Sequence, residues 1–289
     1  MTVAATPSLA QALRSGIGTL QGGSETPRSD ALLLLARALD CRREWILAHG
    51  EAPMNAPAAE RFERWCRQRA RGVPLAYLVG DAGFYGRTFA VDPRVLVPRP
   101  ESEHLIDEVL AFVARAARKR VEILDVGVGS GALACTLAAE LPQADVCGTD
   151  RCAGALEVAA ANARRLGVAR RCALYAGDLA APVAGRRFDA VLANLPYVPS
   201  NEIDAAAPLR FEPRGALDGG PDGLDAYRRF VPAAPALLKP GGLLLLEAAP
   251  PQMAGLLELV RAAFAPVKPS VGVDYAGLAR YVRLETAAS

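Results

Sequence analysis

Histidine is nearly missing from this chain of 289 residues: His49 and His104 are the whole complement, and neither has a partner nucleophile recognisable in the sequence. Ser/His and Cys/His hydrolase chemistry therefore has no footing. The six cysteines, at positions 41, 66, 135, 147, 152 and 172, include no Cys-x-x-Cys pair. That removes the common zinc patterns and leaves the thiols as small buried hydrophobes of a reducing compartment. No apolar run approaches the roughly 20 residues of a membrane span, and the first residues lack the charged-then-apolar order of a secretory signal. Charge of either sign is not in excess. A net charge of +2 gives no general grip on nucleic acid, although Arg61 to Arg71 form a local basic cluster. These absences lead us to expect a cytoplasmic protein with no membrane association and no requirement for nucleic acid, with a monomer favoured.

What is present has a clear order. From Ser8 to about Gly72 the apolar spacing is helical, with a capped stretch from Ser29-Asp30 and another helix over Ala58 to Arg71, and with breaks at Gly22-Gly23-Ser24 and Pro53 to Pro57. Residues 1–80 thus read as a small helical bundle. Phe84-Tyr85-Gly86, Phe89-Ala90-Val91 and Val95-Leu96-Val97 suggest a β-hairpin linker over 81–100. From 101 to 289 strands and helices alternate, which predicts an α/β unit with a mostly parallel sheet and helices on both faces. Val267 to Val273 and Ala279 to Leu284 read as a terminal antiparallel hairpin.

The apolar strand Val121 to Val126 runs into Gly127-Val128-Gly129-Ser130-Gly131 and then a helical stretch, Ala132 to Leu141. This is a nucleotide-cofactor loop by pattern: Gly127 and Gly129 let the backbone turn tightly near a ligand, and Gly131 lets the next helix pack close. The loop alone does not choose between a nicotinamide cofactor and S-adenosylmethionine. Nor does Asp150, at the end of the next strand and followed by Arg151, since both cofactors carry a ribose whose hydroxyls a carboxylate accepts. Gly177-Asp178-Leu179 adds an acid suited to an adenine amino group and an apolar neighbour. A fourth strand, Phe188 to Ala193, ends in Asn194-Leu195-Pro196-Tyr197 at the carboxyl edge where open α/β sheets bind ligands. A side-chain amide, a backbone carbonyl and an aromatic face delivered to one spot suit the methylation of a planar NH2 group, and a dehydrogenase has no evident use for them.

At this point the chain resembles the HemK-type (PrmC-type) release-factor glutamine N5-methyltransferases. The resemblance runs through Arg71 to Gly80, Phe84-Tyr85-Gly86, Val95 to Glu103, the Gly-rich loop, Asn194 to Tyr197, Glu212 to Leu224 and Lys239-Pro240-Gly241-Gly242. It implies a seven-stranded Rossmann-like sheet of class I S-adenosylmethionine-dependent methyltransferases with a small N-terminal helical domain that helps recognise the protein substrate. It also implies transfer of a methyl group from S-adenosylmethionine to a glutamine side chain of a peptide chain release factor. The chain departs from the family's usual pattern in four places: Leu195 stands for proline, Val128 and Ser102 for threonine, and Glu247-Ala248-Ala249 for Glu-Ile-Gly. Leu195 keeps the carbonyl but brings an N–H that needs a partner. Asn-Leu-Pro-Tyr also occurs in adenine-N6 RNA methyltransferases. The alternatives are an enzyme acting on another planar nitrogen, in RNA adenine or in a free amino acid or natural-product amide or guanidinium, and a non-catalytic binding protein on the same scaffold.

The chemistry assigns expected roles. An amide nitrogen is a poor nucleophile, so orientation is the main lever. The Asn194 oxygen and the Leu195 carbonyl are expected to accept its two hydrogens, with Tyr197 packed on the amide plane and Pro196 fixing the turn. Gly127, Val128, Gly129, Ser130, Gly131, Asp150, Arg151, Asp178, Leu179 and Asn194 are the expected cofactor contacts. Asp125 reads equally as a loop-holding acid, no titrating base is evident, and Phe84 or Tyr85 is the expected cover.

Overall fold

The computed structural model describes residues 7–116, 118–205, 209–274 and 276–288. They form two compact units that divide between Gly80 and Asp81. The first is helical: α1 (Leu9–Leu20), α2 (Pro27–Leu39), α3 (Arg43–Ala48), α4 (Ala56–Ala70) and α5 (Leu75–Val79). Helix α1 opens on a capping box, in which Ser8 and Gln11 each accept the other's backbone N–H. Leu9, Leu20, Leu34, Leu35, Ile46 and Phe62 fill the core of this unit. The second helix starts earlier than the sequence suggests, at Pro27, where the fixed φ of proline suits a first turn. Asp30 is buried inside it instead of capping, and accepts from the hydroxyls of Ser24 (2.8 Å) and Thr26 (2.9 Å) and from Arg69 Nε (2.7 Å).

The second unit begins with the hairpin β1 (Asp81–Phe84) and β2 (Arg87–Ala90). Its two-residue turn, Tyr85-Gly86, has positive φ at both positions (49° and 68°), the twist that a tight hairpin prefers. Phe84 and Phe89 meet edge to face and lie in the core of this unit. After α6 (Glu103–Ala116) come β3 (Val121–Val126), α7 (Ala132–Glu140), β4 (Ala144–Asp150), α8 (Ala153–Arg165), β5 (Cys172–Ala176), β6 (Phe188–Ala193), β7 (Leu238–Glu247), β8 (Ser270–Val273) and β9 (Ala279–Glu285). These seven strands form one sheet in the order β5-β4-β3-β6-β7-β9-β8. The first five run parallel, and β9 and β8 are antiparallel additions, as the terminal hairpin pattern predicts.

Alternation along the central strands divides the core into two layers. Ile123, Val146, Ala190, Leu192, Leu243 and Leu245 serve one face, and Leu124, Cys147, Val191, Ala193, Leu244 and Leu246 the other. Strands buried on both sides read as continuous apolar runs for this reason. Chain order reverses at β3, whose neighbours are β4 and β6, and ligands of open α/β sheets bind outside the strand ends at such a point. The opposite edge carries an ion cluster: Asp189 accepts from Arg118, from the Glu122 N–H (2.8 Å) and from Lys239 Nζ (2.9 Å). No helix among the described residues is long and apolar enough to cross a membrane.

One buried amide ties the hairpin to the Gly-rich loop. Asn162, fully buried on α8, donates to the carbonyls of Ala90 (2.9 Å) and Ser130 (2.8 Å) and accepts from the Ala90 N–H (2.7 Å). Asn162→Ala strands these groups and is expected to cost about 2–4 kcal/mol, since each unpaired buried polar group carries its desolvation penalty. Urea denaturation of the two proteins side by side, read by circular dichroism, measures the loss.

Candidate active site

Strand register puts the motif residues at one edge of the sheet. Val126 on β3 lies opposite Thr149 on β4 and Ala193 on β6, so Gly127, Asp150 and Asn194 leave their strands at the same level. Ala193 in turn lies opposite Leu246 on β7, which brings Glu247 beside Asn194. These ends border a cavity of about 390 Å³. Of the residues expected to contact a cofactor, Gly127, Val128, Gly129, Ser130, Asp150, Arg151, Asp178, Leu179 and Asn194 all line it, as do Leu195 and Pro196. Gly131 and Tyr197 do not. Gly131 instead starts α7 at φ 79°, and a Cβ there would come within 3.3 Å of Cys135 and Ala159, so it serves the close helix packing that its pattern suggests.

The loop is held by carboxylates. Asp150 accepts from the Gly129 N–H through one oxygen (3.0 Å) and the Cys152 N–H through the other (2.8 Å), and still borders the cavity. Asp125, 1% exposed, accepts from the Ala134 N–H in the first turn of α7 (3.1 Å). It thereby holds the start of α7, and it also lines the cavity. Burial pushes the Asp125 carboxyl up to about 7, the Ala134 bond opposes the rise, and the charge of Asp150 adds to it. At the far side Asp178 is joined by Arg229, so one of its oxygens is already engaged at the cavity rim. Leu179 follows in left-handed backbone, φ 50°, an uncommon conformation for a branched residue. Phe84 lines the cavity, whereas Tyr85 is directed elsewhere, donating its hydroxyl to Asp107 (2.7 Å). Cys152 is exposed at this rim, an exception to the expectation that the thiols are buried.

Asn194 donates both hydrogens of its carboxamide, one to Ser102 Oγ (3.0 Å) and one to Glu247 Oε1 (2.9 Å). Its oxygen is the remaining polar atom of the amide. Leu195 is 3% exposed, and its side chain belongs to the core layer with Leu224, Tyr227 and Met253. The extra N–H that leucine brings has a partner: it donates to the Tyr227 hydroxyl (3.2 Å), which donates onward to the Glu247 carbonyl. Tyr197 is not among the residues that line the cavity, and its hydroxyl donates toward Glu247 Oε1 at 3.5 Å.

Glu247 is the residue that the sequence reading underweighted. It is 2% exposed, and burial raises its carboxyl to about 7 against the lowering effects of the Ser102 and Tyr197 hydroxyls and of Arg280. A signal was there: an acid closes the run Leu243 to Leu246 at the level where Asn194 closes β6. Chemically, the edge offers a glycine turn open to a ligand, carboxylates suited to hydroxyl and amino donors, apolar walls at Leu96, Pro98, Ala132 and Leu133, and a carboxamide held through its nitrogen.

The sheet order and this edge define a class I methyltransferase. A model described as "Methyltransferase small domain" matches residues 102–212, and one described as "PrmC N-terminal domain" matches 11–80. The release factor glutamine methyltransferase of Moorella thermoacetica is 44% identical over 272 residues, 93% of this chain and 95% of that protein. That of Xylella fastidiosa is 43% identical over 221 residues, 76% of this chain and 79% of the other. The chain belongs to the release factor glutamine methyltransferase family. Its fold is also that of a T. thermophilus 16S rRNA N2 G1207 methyltransferase solved with AdoMet and guanosine, at 21% identity and a TM-score of 0.53 over 71% of this chain and 49% of that one.

Tyr227→Phe leaves the buried Leu195 N–H without an acceptor and should destabilise the protein by about 1–3 kcal/mol. In a Leu195→Pro background that N–H no longer exists, so the same substitution should cost distinctly less. A double-mutant cycle by chemical denaturation measures the difference, and strictly additive effects would show that the bond contributes nothing.

Proposed function

We propose that the chain transfers a methyl group from S-adenosylmethionine to the side-chain amide nitrogen (N5) of a glutamine in a peptide chain release factor. The observation that carries this reading is the Asn194 carboxamide: its nitrogen is engaged by Ser102 and Glu247, its oxygen is left for a ligand, and the residue lines the same cavity as Gly127. The names of the relatives, matched over 93% of the chain in the first case, support the substrate.

The residues fit the cofactor. Gly127, at φ 79°, has no side chain, and a Cβ there would already crowd Leu195 at 3.2 Å. Asp150 supplies carboxylate oxygens for ribose hydroxyls, Asp178 the oxygen not engaged by Arg229 for an amino group, and Val128 and Leu179 apolar walls. Arg151, whose Nη2 donates to the Gly215 carbonyl (3.3 Å), closes the rim. When bound, S-adenosylmethionine supplies an electrophilic methyl group on a sulfonium centre. The Asn194 oxygen and the Leu195 carbonyl accept the two hydrogens of the glutamine amide, which fixes its plane and draws electron density toward nitrogen. Transfer would break the methyl–sulfur bond, leaving its electron pair on sulfur as a neutral thioether, while the glutamine nitrogen gains the methyl carbon and gives up one proton to solvent. Pro196 stiffens the turn that holds both acceptors. The helical unit, residues 1–80, recognises the release factor, and the chain acts in the cytoplasm as a monomer.

Purified protein given labelled S-adenosylmethionine should methylate one glutamine of a release factor and leave RNA and free amino acids unlabelled. Asn194→Ala should lower kcat by about 100-fold or more, the scale of losing one oriented transition-state partner. Label entering RNA or a small metabolite but not the factor would overturn the substrate assignment.

A further inference from the structure

Glu247 lies behind the site and is not part of the cavity wall, yet its contacts decide what the wall presents. The closed set is Asn194, Ser102 and Glu247. Asn194 Nδ2 donates to Ser102 Oγ at 3.0 Å and to Glu247 Oε1 at 2.9 Å, and the neighbouring Ser102 hydroxyl favours the ionised form of the Glu247 carboxyl. A carboxamide is almost symmetric in shape, and turning it over exchanges an acceptor for a donor pair. In the turned state the Asn194 oxygen would face a carboxylate oxygen with no hydrogen between them. The cavity would then meet an NH2 group, which repels the hydrogens of an incoming amide.

We propose that Glu247 is a positioning residue: by taking one hydrogen of the Asn194 carboxamide while Ser102 takes the other, its carboxylate fixes which atom of that amide borders the cavity. The proposal rests on the reading of Asn194 as the acceptor for the substrate amide. It goes beyond the motif, because the choice of orientation belongs to β7 and to the turn Pro100–Ser102, not to the tetrapeptide itself.

The clamp depends on the charge state of Glu247. A protonated carboxyl carries a hydrogen of its own, can face either atom of the amide, and no longer enforces the choice. The groups around it are few. Glu101 opposes its ionisation; Arg280 favours it, but is shared with Asp274 (2.7 Å) and Glu101 (3.9 Å). The Tyr197 hydroxyl lies 3.5 Å away, Tyr227 binds the Glu247 carbonyl, and Tyr281 is its partner across β9. Oε2 is buried with no hydrogen-bond partner among the described residues. Burial prevails and brings the carboxyl to about 7.

The sign follows directly. Below that value Glu247 is neutral and the clamp is released; above it the carboxylate enforces the productive orientation. Stability runs the other way, because a carboxyl whose folded value is raised favours folding in its protonated form and loses that contribution as pH rises through about 7. Activity and stability should therefore move in opposite directions with pH, which a merely structural glutamate would not produce.

The test compares the full-length protein with Glu247→Gln. Gln, like the protonated acid, offers both a donor and an acceptor. Wild-type kcat on a release factor should rise about twofold from pH 6 to 8, because a neutral partner leaves the two orientations of the amide about equally open. The variant should stay at the low-pH level throughout, with unchanged affinity for S-adenosylmethionine by calorimetry. Independently of any substrate, the side-chain NH2 resonances of Asn194, assigned by their loss in Asn194→Asp, should titrate near pH 7 in the wild type and not in the variant. Resonances that do not move, or an acid limb of kcat that persists in Glu247→Gln, would overturn the proposal. Wild-type protein that shows the titration but methylates no glutamine would count against the substrate reading and leave the clamp standing.

Discussion

The structure turns on the pair of hydrogen bonds that engage both hydrogens of the Asn194 carboxamide, one to Ser102 and one to Glu247. A planar amide at a cavity wall can present a donor or an acceptor with little difference in shape, so its use depends on what holds its other side. Here that other side is built from three separate parts of the chain. The turn after Arg99 brings Ser102, β6 brings Asn194, and β7 brings Glu247. The parallel register of β3, β6 and β7 sets their common level, and the same register sets the level of Gly127 and Asp150.

The two edges of the sheet divide stability from chemistry. At the amino edge, charges are paired: Asp189 gathers Arg118 and Lys239, and Lys239 also reaches Glu122 at 2.7 Å. At the carboxyl edge two carboxyls, Asp125 and Glu247, are buried without a cationic hydrogen-bond partner among the described residues, and each is raised to about 7. Placing such groups in a low-dielectric interior costs stability. Perturbed acids held in place by oriented hydrogen bonds are the mark of functional edges in α/β folds. The Leu195 substitution is absorbed within the same edge, since Tyr227 both accepts its N–H and fixes the Glu247 carbonyl.

Much of this was legible in the residues. Gly127-Val128-Gly129 after an apolar strand, Asp150 and Asp178 after the next two, and Asn194 after the fourth determine the cavity border, because strand ends in a parallel sheet share one edge. The final hairpin followed from two short apolar runs about Gly277. Other features were not legible, for definite reasons. The start of α2 at Pro27 was masked by Ser29-Asp30, which resembles a cap, whereas the carboxylate of Asp30 is needed by Arg69, 39 residues along the chain. The contact of the Tyr197 hydroxyl with Glu247, 50 residues along the chain, could not be read from the tetrapeptide. The Arg229 contact to Asp178 and the role of Glu247 depend on pairings more than 50 residues apart, which no local pattern contains.

The most direct measurement is a structure of the protein with S-adenosylhomocysteine and a glutamine peptide from a release loop, at a resolution that separates oxygen from nitrogen in the Asn194 amide. The account predicts the glutamine nitrogen within about 3.2 Å of both the Asn194 oxygen and the Leu195 carbonyl. An Asn194 amide turned over, with its nitrogen toward the glutamine and its oxygen toward Glu247, would contradict it.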